Sequence, residues 1–186
     1  MLSQFPELET KNLVLRQVNQ SDAEAVYQLF SDEEVLKYHD LEALTNLEQA
    51  KELINSFDEK FHSQQMIRWG IAKKEDNVII GTCGYHNWVK NHFCAEIGYE
   101  LSQAYWRKRI MTEALSAMIK FGFEKMELNR IQATVMLENI ASMQLLEKLG
   151  FVPEGILREY GFCKGEFHDL KMFALLKKEA SSNFGF

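Results

Sequence analysis

The chain has 186 residues, 46% hydrophobic and 26% charged, with two prolines and no Gly/Ser-rich or single-sign block, so it reads as one soluble domain able to bury a sizeable core. A net charge of −6 argues against a general nucleic-acid binder, which neutralises phosphates with surplus Lys and Arg. No apolar run approaches the ~20 residues of a membrane span, and the N-terminus lacks the basic and apolar regions of a secretory signal.

Three cysteines (Cys83, Cys94, Cys163) without CxxC spacing fit the reduced thiols of a cytoplasmic protein, and five scattered histidines without HExxH give no metal site.

In chain order, TKNLVLRQV alternates enough at Leu13, Leu15 and Val18 to predict a first strand. Three S/T-x-x-E capping boxes follow, at Ser21/Glu24, Ser31/Glu34 and Thr45/Glu48, and predict three helix starts. Behind them Val26, Leu29 and Phe30, then Ala50, Ile54 and Phe57, recur at helical spacing. From Arg68 the period changes. RWGIAKK, VIIGTCGYHNW and FCAEIGYEL, joined by short polar turns, predict an antiparallel meander.

The third run feeds a basic loop and a helix over roughly Met111 to Phe123; RIQATVML is a further strand, and Ile140 to Leu149 a further helix. Gly150 stands at the position of a left-handed helix cap. FVPEGILREYGF and FHDLKMFALL, joined at Cys163 to Glu166, predict a closing hairpin. The fold class is α+β, or mixed α/β, with residues 1–178 as the domain and 179–186 as a loose tail.

Two strand-to-helix junctions carry chemistry. In EIGYELSQAYWRKRIMTEAL the strand runs through Arg107, Lys108 and Arg109 into a helix N-terminus, where unpaired N–H groups and the macrodipole suit a phosphate. A solvated basic turn is the plainer alternative. In LENIASMQLLEKLGF, Asn139 is either an N-cap or an amide presented to a ligand, and Ser142 sits one turn into the helix. If the two strands are neighbours, both helix starts meet at one end of the sheet, where open sheets collect ligands.

These stretches, in this order over nearly the whole chain, resemble the GCN5-related N-acetyltransferase superfamily. Within it they are most similar to the bacterial ribosomal-protein N-terminal acetyltransferases. The resemblance implies a splayed, mostly antiparallel sheet flanked by helices, acetyl-CoA in the splay, and acetyl transfer to an amine acceptor. That acceptor would be a protein α-amine, or alternatively a small amine; a CoA-binding module without turnover is a third possibility. No metal, nucleic acid or membrane is implied, and a homodimer is possible.

By the same resemblance Ile97, Tyr99 and Leu101 would run beside the pantetheine arm. Trp106, Arg107, Lys108, Arg109, Ile110, Met111 and Thr112 would form the pyrophosphate loop, and Asn139 and Ser142 would reach the pantetheine and its sulfur.

Two departures from the family pattern stand out. Arg109 occupies the place of the loop's central glycine, and Arg107 a place where relatives often carry another; Leu146 replaces a common thiolate-protonating tyrosine, leaving Ser142 as the nearest substitute. The transfer also needs a neutral amine, for which Glu96 is the leading base and Glu100, on the same strand face, its competitor. A CoA thiolate, with a pKa like that of cysteine at ~8.5, needs little acid help. Tyr38, His39, His86 and Trp88 fall in segments that could border the acceptor pocket.

Overall fold

Leu8–Glu9 (β1) and Leu13–Gln17 (β2) open the fold as an antiparallel edge pair, and β2 is the strand that alternation predicts. The computed structural model describes residues 4–184. Ile67–Lys73 (β3), Ile79–Val89 (β4) and Cys94–Leu101 (β5) then form the expected antiparallel meander, and Arg130–Met136 (β6) lies parallel to β5. The closing hairpin, Val152–Cys163 (β7) and Glu166–Leu176 (β8), completes an eight-stranded sheet of order β1-β2-β3-β4-β5-β6-β8-β7.

β3 is buried from Ile67 through Ala72 because it sits inside the sheet under packed layers, so its sequence shows little polar alternation. Ile67, Trp69 and Ile71 join Tyr85, Ile97, Leu115 and Met118 in the larger core, which includes helix Ile110–Glu124 (α3). Val18 with Val26, Leu29 and Phe30 of Ala23–Phe30 (α1), and Ile54 of Leu47–His62 (α2), form a second cluster. Tyr85 ties sheet to helix by donating its hydroxyl to Met118 O at 2.8 Å, and it fits because residue 122 of α3 is glycine.

β5 and β6 pair only at Cys94/Arg130, Ala95/Ile131 and Glu96/Gln132. Beyond Glu96 the two strands diverge, and the sheet forks. Each fork strand leads into a helix, β5 into α3 and β6 into Ile140–Lys148 (α4). That places both helix N-termini at the open end.

Several expectations need correction. The first cap is Asn19, whose side chain receives Ser21 N while Asp22 reaches back to Asn19 N, two residues ahead of the predicted box. Asn46, not Thr45, caps α2, receiving Gln49 N at 3.1 Å. Ser31 closes α1 rather than opening a helix, and Asp32 draws the amide of Glu34 into a local turn, so residues 33–38 stay in turns. Gly150 does adopt the left-handed cap, at φ 90°. Lys177–Phe184 forms a further helix (α5) against α3 and β8, with Ala180 buried, where a loose tail is expected from residue 179; positions 185–186 lie outside the described residues. The short β1 carries too few residues for alternation to reveal.

Candidate active site

A cavity of about 820 Å³ occupies the fork. It is lined by both Tyr99 and Glu100, whose side chains point to opposite faces of β5, so it wraps around that strand's open edge. One wall is the loop entering α3 and another is the start of α4.

The loop shows how this chain manages without the family's glycines. Arg107 (φ 59°) and Arg109 (φ 62°, ψ 8°) both hold the left-handed conformation that glycine adopts most easily. The glycine backbone shape persists, and it now carries two guanidinium groups at the cavity wall. Among the described residues neither arginine has a carboxylate partner. No side chain caps α3, so its first N–H groups face the opening together with the positive end of the macrodipole. Trp106 braces the loop by donating its indole N–H to Leu101 O at 2.7 Å. Lys108 turns away and lies 5.6 Å above the Tyr105 ring.

At the second junction Asn139 Oδ1 accepts from Ser142 N at 3.1 Å, so Asn139 is an N-cap and a cavity-lining residue at once. Ser142 Oγ lies 2.6 Å from the Tyr99 hydroxyl, which burial pushes up to a pKa of about 12. That phenol stays protonated at any physiological pH. Leu146 is fully buried in the core, and the hydroxyl beside Ser142 comes instead from Tyr99 on β5.

The other face of β5 carries two carboxylates in register with β4: Glu100 opposite Thr82, and Glu96 opposite His86, with Gly98 opposite Gly84 between them. Arg68 of β3 lies across the two glycines, donating to Thr82 Oγ1, to Gly98 O and to Glu100. Thr82 Oγ1 also donates to Glu100 at 2.5 Å, and His39 Nδ1 approaches the same carboxylate at 3.4 Å. Burial alone would raise the Glu100 pKa, but Arg68, His39 and these hydrogen bonds outweigh it and hold the carboxyl below its usual range. Such a group is a weak base.

Glu96 stands at the apex of the fork, accepting from Thr134 Oγ1 of β6 at 2.6 Å and from Asn87 Nδ2 at 3.3 Å. Asn87 reaches it because β4 bulges after His86, with Asn87 itself at φ 47°.

Of the residues singled out in the sequence, Tyr99, Leu101, Trp106, Arg107, Arg109, Ile110, Met111, Thr112, Asn139 and Ser142 line the one cavity, with Tyr38, His39 and Glu100. Ile97 is packed in the core, Lys108 faces away, and Glu96 borders the fork from its buried apex. Sequence reasoning missed Arg68, Thr82, Thr134 and the hydroxyl partnership of Tyr99. Arg68 had a signal, as a charge within the apolar first half of a strand; Thr82 and Thr134 depend on which strands lie side by side, and the Tyr99 partnership on how α4 sits against β5.

A forked mixed sheet thus carries two helix starts, two arginines without a carboxylate partner among the described residues, and a hydroxyl pair around one cavity. Residues 12–152 match the family model described as an acetyltransferase (GNAT) domain. The chain belongs to this family and is an acyltransferase. It is 40% identical over 173 residues to an uncharacterized N-acetyltransferase of Bacillus subtilis (strain 168), YoaA, covering 93% of this chain and 98% of that protein. It is 33% identical over 118 residues, 62% of this chain and 61% of the relative, to the ribosomal protein uS5-alanine N-acetyltransferase of Escherichia coli (strain K12). A crystal structure of a GNAT-family acetyltransferase from Bacillus anthracis superposes with a TM-score of 0.83 at 28% identity, covering 94% of this chain and all of that one.

Proposed function

We propose that this protein transfers the acetyl group of acetyl-CoA to the N-terminal α-amine of a polypeptide. The observation that carries the donor is the convergence on one cavity of two left-handed arginines, the uncapped start of α3 and the open edge of β5. A pyrophosphate is a dianion that suits Arg107, Arg109 and the α3 N-terminus. The pantetheine arm carries amides, which suit the peptide groups on the edge of β5 that β6 leaves open beyond Glu96.

The chemistry follows from that placement. The amine nitrogen attacks the thioester carbon, the N–C bond forms, and the C–S bond breaks with its electron pair leaving on sulfur. Backbone N–H groups at the open edge of β5 stabilise the oxyanion. The Tyr99–Ser142 hydroxyl pair protonates the departing thiolate and is refilled from solvent. The surplus amine proton leaves at the Glu96 end of β5.

The α-amine is favoured over a lysine ammonium because it has a pKa of ~7.7 rather than ~10.4 and is partly neutral at pH 7. A site whose cavity-facing carboxylate, Glu100, is held below its usual pKa suits such an acceptor. The relationship to the uS5-alanine enzyme points the same way.

The test is to incubate the protein with acetyl-CoA and unblocked peptides representing every N-terminal residue, and to locate the modification by mass spectrometry. The expected product is acetylated at the α-amine, with internal lysines untouched. Exclusive transfer to lysine side chains or to free small amines would overturn the assignment.

A further inference from the structure

The β4–β5 face holds a second group that the reaction outlined above does not use. The His86 ring lies against Gly98: a Cβ there would touch it in ordinary contact, 3.4 Å from Cε1 and 3.5 Å from Nδ1. Its other nitrogen, Nε2, faces Glu96 Oε1 at 3.9 Å, a separation that one bridging water or a small closure spans. The ring is a third exposed, whereas the Glu96 side chain is only 10% exposed and is already engaged by Thr134 and Asn87. The imidazole therefore lies between solvent and the carboxylate, over the middle of the strand whose opposite face carries Tyr99.

We propose that His86 is the residue that takes the proton from the acceptor amine, with Glu96 behind it as the positioning residue that holds Nε2–H and leaves the Nδ1 lone pair open above Gly98. The inference rests on the acetyl-transfer reading. As the N–C bond forms, the surplus N–H proton passes to Nδ1, and the imidazolium so formed is stabilised by the Glu96 carboxylate. It returns the proton to solvent after the amide departs.

The charged groups around His86 agree with this role. Burial holds its pKa below the ordinary ~6.5 of an imidazole, and Arg68 from β3 acts in the same direction. Glu96 and Glu100 from β5, with Asp40 from the segment between α1 and α2, pull it back up. The outcome is an imidazole that is neutral at pH 7 yet has a carboxylate ready to support its charge.

Two measurements test the proposal. In the first, histidine-labelled protein is titrated by nitrogen NMR without any substrate. His86 is expected as the Nε2–H tautomer with a pKa below that of free imidazole, falling further in Glu96→Gln. An Nδ1–H tautomer, or a titration unmoved by Glu96→Gln, would overturn the positioning role. In the second, His86→Gln and His86→Asn are assayed with acetyl-CoA and the unblocked peptide panel. Loss of general-base help is expected to lower kcat ~100-fold or more, with CoA-induced thermal stabilisation and the KM for acetyl-CoA unchanged, and to remove from the pH profile the group titrating below ~6.5 while leaving the limb of the acceptor amine itself.

Variants that retain wild-type kcat and pH profile would overturn the proposal while leaving acetyl transfer intact. A wild-type protein that binds no CoA and modifies no peptide would overturn both readings together.

Discussion

Replacing Arg109 with glycine separates the strain in the loop from the charge it presents. Arg109 sits at φ 62° and ψ 8°, a region that costs an L-residue ~1–2 kcal/mol and glycine almost nothing. Glycine loses ~0.5–1 kcal/mol through the greater freedom of the unfolded chain. The net gain for the ligand-free protein is therefore about 0.5–1 kcal/mol, a rise in Tm of roughly 1–4 °C at this chain length.

Binding should move the opposite way. An exposed arginine bonded to phosphate sits at the low end of the ~1.5–3 kcal/mol range for charged hydrogen bonds, so its loss weakens CoA about tenfold. At CoA one hundred times the wild-type Kd, wild type gains about 2.7 kcal/mol from ligand. A tenfold weaker variant at the same concentration gains about 1.4 kcal/mol by the same relation. Scanning calorimetry with and without CoA should show Arg109→Gly melting higher when empty and shifting about half as far when CoA is added. A lower empty Tm would refute the strain argument. A CoA shift equal to or larger than wild type's would mean that the guanidinium obstructs the phosphates instead of binding them.

Four other outcomes follow from the same geometry. Gly122→Ala should lose about 1–3 kcal/mol in urea unfolding, because its Cβ would meet Tyr85 Cζ at 2.8 Å in a fully buried contact; unchanged stability would show that α3 can shift freely. Arg68→Met, which strands the Glu100 carboxylate in the core, should cost about 3–5 kcal/mol, and adding Glu100→Gln should restore much of it, whereas equal losses in the two proteins would deny the pairing. Because the folded-state pKa values of Glu100, Asp22 and Glu113 are all depressed, their stabilisation is complete above the unfolded value near ~4.3 and is lost as pH falls through the folded values; a urea midpoint equal at pH 7 and pH 3 would contradict this. Tyr99→Phe should slow acetyl transfer several-fold at pH 7 and progressively less above pH ~8.5, where the thiolate leaves without a proton, so a pH-independent defect would argue for packing alone.

The parts of this fold that sequence revealed are those written in local chemistry. The meander from Ile67 to Leu101 shows because turn residues separate its β-favouring runs, and α3, α4 and the closing hairpin show for the same kind of reason. Helix starts were less accurate, since Asn19 and Asn46 cap as well as any Ser or Thr and compete with them for the same amides. The loop was legible as a cationic turn before a helix, yet its defining feature was not. That two arginines would keep a glycine backbone is a property of the surrounding structure, which over-determines φ against residue preference.

The fork itself explains why the remaining site residues were hidden. Strand pairing between β5 and β6 ends at Glu96, so everything beyond it is defined by what the strands no longer touch. On one side of β5 the opening gathers arginines, helix N-termini and the Tyr99–Ser142 pair, and on the other a row of carboxylates matched across β4 by Thr82 and His86. Alternation along β5 separates these two sets, and Gly98 with Gly84 keeps the strip between them thin enough for Arg68 and His86 to lie across it. A Cβ in place of Gly98 would crowd Arg68 Nη1 at 3.2 Å and touch the His86 ring at 3.4 Å, so this glycine stands between the buried ion pair and the proposed proton acceptor. Gly98→Ala should therefore disturb stability and the His86 titration together, and a variant that changes neither would show that the two side chains yield freely.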